Sequence, residues 1–253
     1  MKINPPFGYT EIVVLNKTQR VVLPKAGEAP AFCRTINAMP LSYTEFARAS
    51  HDYPVVFISG DEGKTYSTVA VLGLEAGQNL FVGQGDQSGT WDKTTYVPAY
   101  VRRYPFCMAK INVDKVARNE RVVCVEQQAI DEKKGQALFN DKGEALPLWN
   151  ELEKLLREYE ADLMRSEEMC AILKEYDLLE PFSMQAALNS GGAMNLTGMH
   201  RVNEAKLEGL KIDQYRNLVK KGVMGRIYAH LISLENFARL LDRSVAAKPK
   251  KAA

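Results

Sequence analysis

Histidine is scarce in this chain. His51, His200 and His230 are the three in 253 residues, and no two stand at a metal-ligand spacing. The four cysteines, Cys33, Cys107, Cys124 and Cys170, form no Cys-x-x-Cys pair, which argues against a zinc cluster or a dithiol redox motif and for buried reduced thiols. No Gly-x-Ser-x-Gly elbow is present. No run approaches the roughly 20 apolar residues of a spanning helix, and no apolar signal core follows Met1. The expectation is a cytoplasmic protein with no transmembrane segment. Charge of one sign is lacking too. The formal net charge is +2, and Lys248, Lys250 and Lys251 at the end of the chain contribute three positives. The body is therefore near neutral, so no global field points to nucleic acid. No catalytic residue, metal or cofactor is expected from these absences.

What is present is an ordinary globular composition, 46% hydrophobic and 25% charged. Its texture changes along the chain. Up to about residue 145 short β-branched and aromatic runs alternate with turns. Strands are expected at Glu11–Leu15 and Arg20–Leu23 (a hairpin), at Phe32–Ala38, Val55–Ser59, Tyr66–Leu74, Trp91–Val97, Phe106–Val113 and Arg121–Gln127. Ala137–Phe139 reads as an edge strand. Ser42 or Thr44 can cap a short helix over Tyr43–His51. The glycine run from Gly83 to Gly89 lacks the spacing and the following helix of a phosphate loop, and reads as a loop.

From Leu146 the spacing becomes helical. Trp149, Leu152, Leu155, Leu156, Tyr159 and Leu163 repeat on one face, as do Met169, Ile172, Leu173 and Tyr176. A helix is expected over Pro147–Leu163, with a second, or its continuation, to about Tyr176. A hairpin follows over Phe182–Asn189 and Met194–Val202, then a helix over Asp213–Lys221 closed by Gly222. A long helix over Val223–Arg243 has His230 on its apolar side. Residues 244–253 read as a disordered tail. The fold class is α+β: an antiparallel-rich sheet in the N-terminal half packed with a helical C-terminal half. Residues 1–243 form one domain, with an alternative boundary near 145.

The densest local signal is Tyr96-Val97-Pro98-Ala99-Tyr100-Val101-Arg102-Arg103-Tyr104-Pro105-Phe106. Pro98 can open a helical turn, and Pro105 disfavours a helical Tyr104. Arginine stacks on aromatic rings and binds carboxylates bidentately. Tyr96, Tyr100, Arg102, Arg103 and Tyr104 are therefore the candidate ligand- or partner-binding residues. Neighbouring side chains in a helical turn diverge by about 100°, so one arginine should face inward and the other outward. Glu126, ending an apolar run, is the first candidate for a structural ion pair with the inward one.

This segment resembles the signature of the SapC family. Asp52-Tyr53-Pro54-Val55-Val56-Phe57, Val71-Leu72-Gly73-Leu74 with Asn79-Leu80-Phe81-Val82, Gly198–Leu207 and Tyr228–Leu234 are similar to further segments of that family, in the same order. Asn203 departs from its usual aspartate. The family is named after a bacterial surface-layer-associated protein. The resemblance implies a non-enzymatic interaction or assembly protein with a protein partner and an envelope or surface-layer setting. It also implies an alternative: a small-molecule-binding accessory, or an enzyme with an unrecognised site, acting beside outer-membrane uptake receptors or flavin-dependent halogenase-like proteins.

Overall fold

A computed structural model of the chain describes residues 3–83, 89–113, 116–187 and 193–247; for 111–113, 116–120, 186–187 and 193–194 it describes the backbone alone. The architecture is α+β, with every sheet antiparallel. Strands β1 (Ile12–Val14), β6 (Phe106–Val113) and β7 (Val116–Glu126) form one sheet with β7 in the middle. The larger sheet runs β3 (Ala38–Pro40), β5 (Ser67–Val71), β4 (Val55–Ile58), β10 (Ala193–Val202) and β9 (Leu179–Ala187). A small ladder joins β2 (Arg20–Val21) to β8 (Gln136–Ala137).

The two halves of the chain share the larger sheet. The expected hairpin forms as β9 and β10, and β10 pairs with β4 through Met199↔Ile58 and His200↔Phe57; its turn lies outside the described residues. Pro181 sits in β9, an edge strand, where its missing N–H leaves no ladder bond unmade. The register shift in β10 between Leu196 and Met199 spans Gly198. Gly198 has φ +81°, a conformation that suits glycine in a bulge.

His230 bolts the last helices onto this sheet. It lies in α6 (Val223–Ser233) and is fully buried. Its Nδ1–H donates to the Val55 carbonyl at 2.6 Å, and its Nε2 accepts from the Val202 N–H at 3.1 Å. Both bonds require a neutral ring, and burial pushes its pKa from 6.5 to about 4. One turn on, Ser233 Oγ accepts from the Val55 N–H at 2.9 Å.

Two further short helices are α1 (Phe46–Ala49) and α4 (Glu204–Glu208). Several elements differ from the sequence reading. β1 and β2 do not form a hairpin. Ile12 pairs with Glu126 and packs in the main core, whereas Arg20 pairs with Ala137 and Val21 enters a smaller cluster with Phe106, Leu138 and Trp149. Phe32–Ala38 is not a strand: Pro30 precedes a 3-10 helix over Ala31–Thr35, and Asn79 Nδ2 donates to the Cys33 carbonyl at 2.7 Å. Trp91–Val97 is a turn, because Asp92 Oδ1 accepts from Thr94 N and Thr94 Oγ1 at 2.9 and 2.7 Å. The Val223–Arg243 helix is two, α6 and α7 (Asn236–Ala247). Asn236 Nδ2 donates to the carbonyls of Ser50 and Tyr53 at 2.7 and 3.2 Å, which turns the chain at Leu234–Glu235. Residues 244–247 are helical rather than tail, and the tail lysines lie outside the described residues.

Helix α3 runs unbroken over Pro147–Glu175, about 43 Å at 1.5 Å per residue. No glycine or proline follows Pro147 within it, so the two expected segments merge. Trp149 and Leu156 pack in the small cluster, and Tyr159, Met169, Ile172 and Leu173 in the main core. All four cysteines are buried and unbonded, and burial pushes the Cys33, Cys107 and Cys170 thiols up to about 12.

Candidate binding site

Helix α2 is a single turn, Ala99–Arg102, capped by Pro98. It is held from below by Glu45, a buried carboxylate in the 3-10 turn Tyr43–Glu45. Glu45 Oε1 accepts from the Ala99 N–H at 2.6 Å and from Tyr96 Oη at 2.9 Å. Its Oε2 accepts from Ser42 N and Ser42 Oγ at 2.8 and 2.6 Å. One carboxylate thus closes a capping box and also occupies the positive end of the next helical turn. Asp52 Oδ2 accepts from the Tyr96 N–H at 2.7 Å, and Tyr53 Oη donates to the Tyr96 carbonyl. The segment around Tyr53-Pro54-Val55 therefore positions the one beginning at Tyr96.

The two arginines diverge from this turn. Arg103 faces inward and is 4% exposed. Its guanidinium lies 4.2 Å from the Tyr100 ring centroid, 4.7 Å from Tyr159 and 5.7 Å from Tyr9. Desolvated stacking of this kind is worth about 2 kcal/mol. The phenols are held by backbone: Tyr9 Oη donates to the Phe106 carbonyl at 2.7 Å and Tyr100 Oη to that of Phe7 at 2.5 Å. Burial pushes the Tyr9 and Tyr159 phenols well above their ordinary range. They face the cation as neutral phenols.

The carboxylate partner of Arg103 is Glu160, 3.9 Å away on α3, and Glu160 is shared with Arg121. The expected pair with Glu126 does not form. Glu126 is buried at the end of β7, where it accepts from the backbone N–H groups of Thr10 and Glu11 at 2.9 and 3.2 Å. Those bonds dock the incoming chain onto the sheet and use the carboxylate that the arginine would have needed.

Arg102 faces outward. Its Nε donates to the Val97 carbonyl at 3.1 Å and its Nη2 to Tyr96 Oη at 2.9 Å. Its guanidinium sits 5.6 Å from the Tyr96 ring centroid. Burial first, and the neighbouring Glu45 second, push the Tyr96 phenol up to about 12. No carboxylate pairs with Arg102 among the described residues.

Arg102 reaches the edge of a groove along the segment from Leu23 to Glu28. A hollow of 290 Å³ is lined by Trp91, Val97, Val101, Arg102 and Tyr104. A second, of 460 Å³, is lined by Val22, Ala29, Pro30, Arg34 and Tyr104. The two share Leu23, Pro24, Glu28 and Tyr104. The half-buried Tyr104 ring separates them and packs 5.4 Å from Tyr9 and 5.9 Å from Phe32. The hollow beside Arg102 is mainly apolar, the one beside Arg34 is mixed, and the charged side chains lining the pair are Lys25, Arg34, Arg102 and Lys134 against Glu28 and Asp131. Arg34, exposed like Arg102, also has no carboxylate partner among the described residues.

The five sequence candidates therefore separate. Tyr100 and Arg103 belong to the interior, Arg102 and Tyr104 to the groove, and Tyr96 carries Arg102 on the buried Glu45. Sequence reasoning missed Glu45, Arg34, Tyr9, Tyr159 and Glu160. For Glu45 a signal existed in Ser42-x-x-Glu45, the capping-box spacing. Nothing local marks the other four, which meet the segment from distant elements. Among the described residues no group of three or more His, Cys, Asp or Glu side chains is arranged to hold a metal ion, and no helix is long and apolar enough to cross a membrane.

A family model matches residues 20–240, and that family is SapC. The chain belongs to the SapC family. No curated protein and no solved structure matches it.

Proposed function

We propose that this SapC chain is a non-catalytic interaction protein that receives an acidic, partly apolar segment of a protein partner in the groove across Tyr104. The observation that carries the reading is a partly apolar groove whose lining cations, Lys25, Arg34, Arg102 and Lys134, outnumber its acids, Glu28 and Asp131, with Arg34 and Arg102 exposed and neither paired to a carboxylate among the described residues. Charge complementarity of this kind selects partners and speeds encounter. The surface-layer or envelope setting implied by the family belongs to the same proposal.

The test is a pull-down from native cells with wild type, the double variant Arg34→Glu/Arg102→Glu, and a control bearing Lys154→Glu on the outer face of α3. A partner retained by wild type and control and lost by the double variant supports the groove. Equal recovery by all three removes it. The hollows of 290 and 460 Å³ also fall near the size of small-ligand sites, which favours a small carboxylate as the second reading. Native mass spectrometry of protein purified from its own cells separates the two, since a bound small acid adds a fixed mass.

A further inference from the structure

Helix α5 (Ile212–Lys220) turns its apolar side chains toward solvent. Of these, only Leu218 is buried. Ile212, Tyr215 and Val219 are 66%, 46% and 52% exposed. At about 100° per residue the three fall within an arc of about 60° on one face. Lys211 lies on one flank of that arc, and Arg216 and Lys220 on the other. The helix is held to the protein by Leu218 and by polar contacts: Asn217 Nδ2 donates to Tyr176 Oη at 2.8 Å. On the adjoining α6, Tyr228 and Ile232 are also exposed, at 49% and 65%. Single exposed apolar residues are ordinary, but an aligned stripe marks a surface that something covers.

The charges select the occupant. A second copy docking by two-fold symmetry would bring Lys211, Arg216 and Lys220 against their own equivalents, and like charges across a contact oppose it. The acid within α5, Asp213, is 3.8 Å from Arg216 and exposed, so it does not offset both flanks. An apolar ridge with long cationic side chains on either flank, and a tyrosine within it, suits a plane of anionic headgroups. The stripe enters the boundary of the acyl chains while lysine and arginine reach back to phosphate.

We propose that α5, with the outer edge of α6, is a membrane-surface contact selective for anionic lipid. It lies apart from the groove and does not depend on it. The stripe is short, so the binding is reversible and salt-sensitive.

The experiment is co-sedimentation of the full chain with vesicles of phosphatidylcholine alone, or of phosphatidylcholine with about a third phosphatidylglycerol, at low and high salt. Binding is expected to the anionic vesicles alone and to weaken at high salt. Ile212→Ser/Val219→Ser should weaken it about tenfold. Neutralising Lys211, Arg216 and Lys220 to glutamine should weaken it about fivefold per charge. All five positions are exposed, so these variants should melt like the parent. If one does not, Tyr215→Trp keeps the test decisive: its emission should shift to the blue with anionic vesicles and stay unshifted with neutral ones. The proposal is overturned by no binding to anionic vesicles, by equal binding to neutral ones, or by undiminished binding of folded variants. A concentration-dependent dimer that Ile212→Ser/Val219→Ser abolishes, with no vesicle binding, would assign the face to a second copy and overturn it too.

Discussion

On its inner side α2 sets Arg103 among the rings of Tyr100, Tyr159 and Tyr9, whereas one residue earlier Arg102 leans over Tyr96 beside the groove. The two residues are identical and adjacent, yet their surroundings differ in every term that sets their worth. Arg103 is desolvated, faced by π-systems and shares Glu160 with Arg121. Arg102 remains in water and gives its donors to a carbonyl and a phenol. A helical turn is enough to produce this division, because neighbouring positions on it diverge by about 100°. The inner face then serves the fold and the outer one is left to recognise something else.

Glu45 spans both faces and its removal should have the largest effect. Glu45→Ala would strand Ser42 N, Ser42 Oγ, Ala99 N and Tyr96 Oη. Several buried donors lost together should cost about 4 kcal/mol. Denaturant unfolding checks this; a midpoint within error of the parent would mean that Glu45 supports neither face.

Acid offers a perturbation that spares both arginines. His230 is held neutral, with its pKa lowered from 6.5 to about 4. Between those values the unfolded chain binds the proton and the folded one does not, so stability rises with pH. Its contribution is complete above 6.5 and is lost as pH falls toward 4, amounting to about 3 kcal/mol. Stability against pH should show this loss in wild type, and Arg102→Ala should show it equally. In His230→Gln the slope across that window should be reduced, and an unchanged slope would detach the effect from His230.

Much of this was legible in the sequence and some was not. The inward–outward split of Arg102 and Arg103 follows from adjacency, and α3 and the β9–β10 hairpin follow from periodicity and flanking residues. The ion pair was misassigned because Glu126 and Glu160 both end or line apolar stretches, and only the tertiary path reveals that Thr10 and Glu11 reach Glu126 first. The break between α6 and α7 depends on Asn236 finding carbonyls at Ser50 and Tyr53, nearly two hundred residues upstream. In α5 the helical period is legible, but periodicity alone does not say which side of an amphipathic helix faces the protein. Leu218 and Asn217 decide that by their contacts with distant elements.

A smaller effect sharpens the comparison from the interior side. Cys33 and Cys107 are buried near Arg103 and its tyrosines. Thiol labelling of the native protein should be slow in wild type and in Arg102→Ala, and faster in Arg103→Ala, where the packing around the guanidinium is lost. Equal rates in all three would show that the rings close over the gap without it.

The most direct measurement is a pair of melting curves, for Arg102→Ala and for Arg103→Ala. Losing Arg103 removes the stacked cation and leaves Glu160 with Arg121 alone, a loss of about 3 kcal/mol. For a chain of this size that is a fall of about 6–12 °C. Losing Arg102 should cost about 0.5 kcal/mol or less, a shift of at most about 2 °C. Two curves that both superimpose on the parent, or that fall together, would contradict the division of α2 into a structural face and a recognition face.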